Sequence, residues 1–185
     1  MSTFSIEIDA RWINGLRQGD AAALEAIYHA FERPVFNLAW RILGDRDEAQ
    51  ELLHDAMLQV IDKIGQYRQQ APFWAWLRQI CVNQALMRLR RQRLEYRDEP
   101  PEPEASPDWA GVPLEAGDLE AALTRLRPVT RSVIWLYCVE GYTHEEIARA
   151  FGRTISFSKT QLARGTSQLR TLLCTDTPQG ASAYA

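Results

Sequence analysis

Gln79, Asn83 and Arg90 stand four and then seven residues apart in the stretch PFWAWLRQICVNQALMRLRRQR. On a helix that spacing puts them on one flank. Amide and guanidinium groups each make paired hydrogen bonds to base edges, and arginine also contacts phosphate. The stretch ends in a basic run (Arg88, Arg90, Arg91, Arg93) and begins with aromatic residues, Phe73 and Trp74 among them. Unstacked bases lie on aromatic rings while arginines follow the backbone. The chemistry offered is recognition of nucleic acid. The plainer reading is an amphipathic core helix with a solvated basic end, because Phe73, Trp76, Leu77, Ile80 and Met87 also recur at helical spacing.

A second set lies in GYTHEEIARAFGRTISFSKTQLARGTSQLRTLL. Thr143 and Glu146 form a capping box of the S/T-x-x-E type, and Ile147, Ala148 and Phe151 give a short helix its buried side. Gly152-Arg153-Thr154 is a tight turn, and Ile155, Leu162, Leu169 and Leu173 mark a longer helix. Short helix, glycine turn and second helix match the helix-turn-helix pattern. In that motif the early residues of the second helix touch base edges in the major groove. Here they are Thr154, Ser156, Phe157, Ser158, Lys159 and Gln161, with Arg153 and Arg164 placed for phosphates.

Catalytic constellations are missing. His29, His54 and His144 are scattered, and HExxH, GxSxG, a Walker loop and GxGxxG are absent. No catalytic residue, metal or cofactor is expected. Cys81, Cys138 and Cys174 are odd in number and contain no CxxC pair, which argues against a disulfide framework or a zinc site. Cys81 and Cys138 fall in apolar helical patterns and read as reduced core thiols. The start lacks a signal pattern and no apolar run approaches membrane-spanning length, so a reducing cytoplasm is the expected compartment, without membrane insertion.

These residues need helices to hold them. Residues 1–19 read as an N-terminal segment with a short helical candidate, Arg11–Arg17. Asp20 is a good N-cap for a helix through Leu24, Ile27, Tyr28 and Phe31. Pro34 is expected to kink or break it, before the pattern resumes and stops at Gly44. Asp45 or Asp47 starts a helix whose apolar stripe is Ala49, Leu52, Leu53, Ala56, Met57, Val60, Ile61 and Ile64. Its polar face carries Gln50, Glu51, His54, Asp55 and Gln59, a pattern that by itself reads as a wet surface. Residues 20–93 form one helical domain. Residues 94–117, rich in proline and acid, read as a linker spanning at most about 80 Å. Residues 118–174 form a second helical domain, with Asp118 as a cap and Pro128 opening a helix that buries Val129, Val133, Leu136 and Tyr137 and stops at Gly141. Residues 175–185 read as a disordered tail. The fold class is all-α, two small domains joined by a linker.

Charge follows the same division. The formal net charge is −3, yet residues 51–97 carry eight basic groups against four acids, residues 98–120 eight acids and no base, and residues 121–185 eight bases against four acids. Nucleic acid responds to the local blocks rather than to the sum. Nineteen of the 21 basic residues are arginine, which favours planar paired contacts.

The two blocks together resemble the two conserved domains of a bacterial extracytoplasmic-function sigma factor, the promoter-reading subunit of RNA polymerase. ALEAIYHAFERPVFNLAWRILGDRDEAQELLHDAMLQVIDKI…FWAWLRQICVNQALMRLRR resembles region two, and LRPVTRSVIWLYCVEGYTHEEIARAFGRTISFSKTQLARGTSQLR resembles region four. The resemblance implies that Gln50, Glu51, His54, Asp55 and Gln59 dock on the clamp helices of the polymerase core's largest subunit. It implies that Tyr67, Arg68, Phe73, Trp74, Gln79, Asn83 and Arg90 read and melt the minus-ten promoter element. The Thr154–Gly165 helix would read the minus-thirty-five element as duplex DNA, and an anti-sigma factor would hold the protein inactive. Departures from the family pattern are His54-Asp55, Met57, Met87 and the run Ala163-Arg164-Gly165-Thr166, whose glycine reads as weakening the recognition helix. The competing readings are a helix-turn-helix regulator acting on duplex DNA without polymerase, and an all-helical adaptor binding only protein.

Overall fold

A computed structural model describes residues 8–95 and 116–175. The expectations for the first seven residues, most of the linker and the tail lie outside the described residues. Eight α-helices and no strand occur among the described residues: α1 (Ala10–Arg17), α2 (Ala21–Leu43), α3 (Arg46–Lys63), α4 (Phe73–Glu95), α5 (Ala116–Thr124), α6 (Pro128–Ile134), α7 (His144–Phe151) and α8 (Ile155–Thr175). The chain divides into two compact units, one carrying α1–α4 and the other α5–α8. α4 runs two residues past the expected start of the linker. α5 begins at Ala116, so Asp118 lies inside the helix it was expected to cap.

In the first unit α2 packs on α1, α3 and α4, and α3 on α4. Capping side chains start each of the first three helices. The carboxylates of Asp9, Asp20 and Asp45 accept from the backbone N–H groups of Arg11, Ala22 and Glu48 at 2.9, 3.0 and 2.9 Å. Gly44 closes α2 in the left-handed conformation, φ 78°. Pro34 does not break α2, which is one helix of 23 residues. An interior proline costs about 3 kcal/mol. Ile27 and Phe31 before it and Val35, Leu38 and Ile42 after it are all buried, and at roughly 1.5–3 kcal/mol per fully buried side chain they outweigh that cost.

In the second unit α8 packs on α5, α6 and α7. Ala122, Leu126, Ile134 and Leu169 form one cluster of its core, with Leu123, Leu162, Leu172 and Leu173 against them. α6 passes at its C-terminal end into a π-helical turn, Trp135–Val139. The wider turn rotates side chains out of α-helical register. Val133 and Leu136 are buried as expected, whereas Val129 is half-buried and Tyr137 exposed. Cys138 is exposed for the same reason, so only Cys81 of these two thiols is a core group. Arg131 is buried, and its guanidinium donates to the carbonyls of Thr124 and Leu126 at 3.4 and 3.3 Å, closing the end of α5.

Candidate nucleic-acid interface

α4 presents its polar flank to solvent. Gln79, Asn83 and Arg90 are exposed, and the Gln79 Nε2 donates to Asn83 Oδ1 at 3.2 Å. The buried stripe runs through Leu77, Cys81, Ala85, Leu86 and Leu89. Met87 does not belong to it. It is 53% exposed, about 40° round the helix from Asn83, and so joins the polar flank. Hydrophobicity hid it from pattern reading; the helical angle from Asn83 was the available signal.

The aromatic residues at the start of α4 form a cluster with α2 and the preceding loop. Phe73 lies 5.2 Å from Phe31, 5.3 Å from Tyr67 and 5.6 Å from Trp76, centroid to centroid. Phe73 is buried, as its place in the apolar stripe predicts, and Tyr67 is buried with it, so both rings belong to the cluster's packing. Tyr67 is held at its hydroxyl and its backbone: the hydroxyl donates to the Ala71 carbonyl at 2.7 Å, the N–H to the Ile64 carbonyl at 3.2 Å, and its own carbonyl accepts from Arg17 of α1 at 2.5 Å. Burial pushes the phenol pKa up, with Arg17 opposing it. Trp74 is half-buried and stacks on Phe31 at 6.0 Å and 5°. Trp76, counted in the apolar stripe, is also half-buried, and Arg68 is exposed beside the cluster.

On α3, Gln50, Glu51, His54 and Asp55 are exposed and Gln59 is half-buried. His54 Nδ1 donates to the Gln50 carbonyl at 2.8 Å, and Lys63 donates to Gln59 Oε1 at 3.2 Å. Arg88 of α4 reaches across to this face. Its two terminal nitrogens donate to Glu51 Oε2 at 3.2 Å and Asp55 Oδ2 at 2.5 Å. Ile61, placed in the buried stripe by spacing, is 39% exposed, and Leu58 beside it is 60% exposed.

In the second unit the capping box is complete: the Thr143 hydroxyl accepts from Glu146 N–H at 3.2 Å, while the Glu146 carboxylate accepts from Thr143 N–H at 2.8 Å. The Thr143 backbone N–H and the Thr143 hydroxyl, at 2.9 Å, both donate to Glu146 Oε2 and hold its pKa below the ordinary value, the backbone bond contributing most. Gly152 turns the chain at φ 61° into α8. Arg153, Thr154, Ser156 and Lys159 are exposed around the first turn of α8, with Ile155 42% exposed among them. Ser158 is fully buried, its Oγ 3.0 Å from His144 Nδ1, so it cannot touch a base edge. Phe157 is half-buried against Phe151 at 5.6 Å, and Gln161 accepts from Thr130 Oγ1 at 2.7 Å. Arg164 is half-buried. The accessible set is therefore Arg153, Thr154, Ile155, Ser156 and Lys159. Ile155 is new to it and suits the thymine methyl group.

Residues 27–95 match sigma-70 region 2, and residues 116–169 match sigma-70 region 4. The RNA polymerase sigma factor CarQ of Myxococcus xanthus is 31% identical over 162 residues, covering 85% of this chain and 92% of the relative. The ECF RNA polymerase sigma factor SigE of Mycolicibacterium smegmatis is 30% identical over 172 residues, covering 84% of this chain. The chain belongs to the ECF RNA polymerase sigma factor family. Its match spans 64% of the length of SigE. The fold agrees with a solved sigma factor, RpoE of Bartonella quintana in complex with the anti-sigma factor NepR. The TM-score is 0.51 at 24% identity, covering 78% of this chain and 92% of that one. As an ECF sigma factor the chain carries the α3 and α4 surfaces within its region 2 match, and α7 with most of α8 within its region 4 match.

Proposed function

We propose that the protein directs core RNA polymerase to specific promoters in the cytoplasm and opens them by binding alone, under the control of an anti-sigma factor. The observation that carries this reading is the occurrence of both sigma regions, in order, in one chain. In it, the α3 face with Gln50, Glu51, His54, Asp55 and Gln59 binds the polymerase core. The α4 flank of Gln79, Asn83 and Arg90, with Arg68 and Trp74, takes the minus-ten strand. Tyr67 and Phe73 hold that platform from beneath. Arg153, Thr154, Ser156 and Lys159 read the minus-thirty-five duplex. The functional domains would span residues 20–93 and 118–174. The contribution is binding energy, with no bond-making step, and needs no cofactor.

In vitro transcription from a promoter library with sigma-free core polymerase tests the reading. Transcripts that require the protein and share two upstream motifs are the expected result. A protein that never binds core polymerase yet shifts duplex DNA alone would be the helix-turn-helix regulator instead.

A further inference from the structure

Arg88 belongs by sequence to the basic run at the end of α4, with Arg90 and Arg91. Its position excludes it from the nucleic-acid flank. At 100° per residue it stands about 140° round the helix from Asn83, whereas Arg90 stands within about 20°. Arg88 faces α3, and its side chain is 20% exposed. One nitrogen donates to Glu51 Oε2 and the Glu48 carbonyl, at 3.2 and 3.3 Å, and the other to Asp55 Oδ2 at 2.5 Å. Glu51 and Asp55 are four residues apart on α3 and would repel one another without a cation between them. A guanidinium presents its donors in a rigid fork, so one side chain fixes two carboxylates at once; an ammonium group would not do so with the same geometry.

We infer that Arg88 is a positioning residue for the polymerase-binding face of α3, holding Glu51 and Asp55 in the arrangement that a basic partner surface meets. The inference rests on the proposed polymerase contact. A carboxylate accepts at both oxygens, so the bond to Arg88 leaves each acid able to take a donor from the partner. The acids are largely exposed, at 74% and 56%, so the pairing is worth little to folding and its value lies in order at the surface.

The test is a double-mutant cycle read as affinity for purified sigma-free core polymerase, with the full chain as wild type, Arg88→Ala, Arg88→Lys, Asp55→Ala and Arg88→Ala/Asp55→Ala. Arg88→Ala should weaken core binding about two- to fivefold, the scale of an exposed ion pair, and lose most of that effect when Asp55 is already alanine. Arg88→Lys keeps the charge and the fold, and should still bind core more weakly than wild type. Circular-dichroism melting of each variant separates this from unfolding. Unchanged core affinity in Arg88→Lys and Arg88→Ala would overturn the inference, as would fully additive effects with Asp55→Ala. So would a defect confined to promoter opening at saturating core, which would return Arg88 to the phosphate contacts. If the wild-type chain itself fails to bind core, the sigma reading falls first and is told apart by that control.

Discussion

Asn83 offers base-reading chemistry in the open, on α4, with its Oδ1 already accepting from Gln79. Asn83→Ala is expected to impair promoter opening in permanganate footprinting while leaving core binding unchanged; equal loss of both would remove it from the strand-reading role. In α8 two neighbours differ in burial. Lys159 is exposed, so Lys159→Ala should cost on the order of 1 kcal/mol of upstream-element affinity with little change in melting. Ser158 is buried against His144, so Ser158→Ala should cost about 1 kcal/mol of stability instead, visible in denaturant unfolding. The thiols divide in the same way. Burial pushes Cys81 up to about 12; it raises the Cys138 thiol as well, but Cys138 remains exposed to a reagent. A thiol reagent applied to the native protein should modify Cys138 and spare Cys81 until the chain unfolds, which peptide mapping would read.

Gly165 acts at the scale of the helix pair. Its helix-weakening effect is real for an isolated helix, where alanine gains roughly 0.5–1 kcal/mol. Here a Cβ would come within 2.6 Å of Thr130 Cγ2 and closer still to Ile134 Cδ1, both on α6. Overpacking costs about 1–3 kcal/mol and wins, so Gly165→Ala should lower the melting temperature despite better helix propensity. The glycine is the close-approach point at which α8 crosses α6. The start of α7 gives a pH signature. The folded pKa of Glu146 lies below its unfolded value, so its contribution is fully present above the unfolded pKa. It is lost as pH falls through the lowered folded pKa. Glu146→Gln should therefore flatten the part of the melting-versus-pH curve below about pH 4.3 that this group supplies.

At the scale of the molecule, a net charge of −3 coexists with two basic blocks. The polymerase–promoter complex should therefore weaken steeply with salt, although the free protein is mildly acidic. Counterion release predicts a linear fall of log affinity with log salt concentration. Filter binding across a salt series would show it, and a flat response would leave no role for the arginines of α4 and the turn before α8 as phosphate contacts. No helix among the described residues is long and apolar enough to cross a membrane.

Several helix caps and the turn before α8 were legible in the chain, because they depend on neighbours within a few residues: Asp20, Gly44, Thr143 with Glu146, and Gly152 act locally, whereas Asp118 proved to lie inside α5. The polar flank of α4 was legible too, since 3.6 residues per turn is a property of the helix alone. Tertiary structure decided what periodicity cannot express. Whether a residue is covered depends on which neighbour lies over it, so Met87 and Ile61 emerged exposed while Tyr67 and Ser158 went inside. The π-turn turned Tyr137 outward, and packing on both sides of Pro34 carried α2 straight through. Arg88 shows the difference most plainly. Its partners Glu51 and Asp55 lie 37 and 33 residues away in sequence, and only the packing of α4 on α3 brings them within reach of one guanidinium.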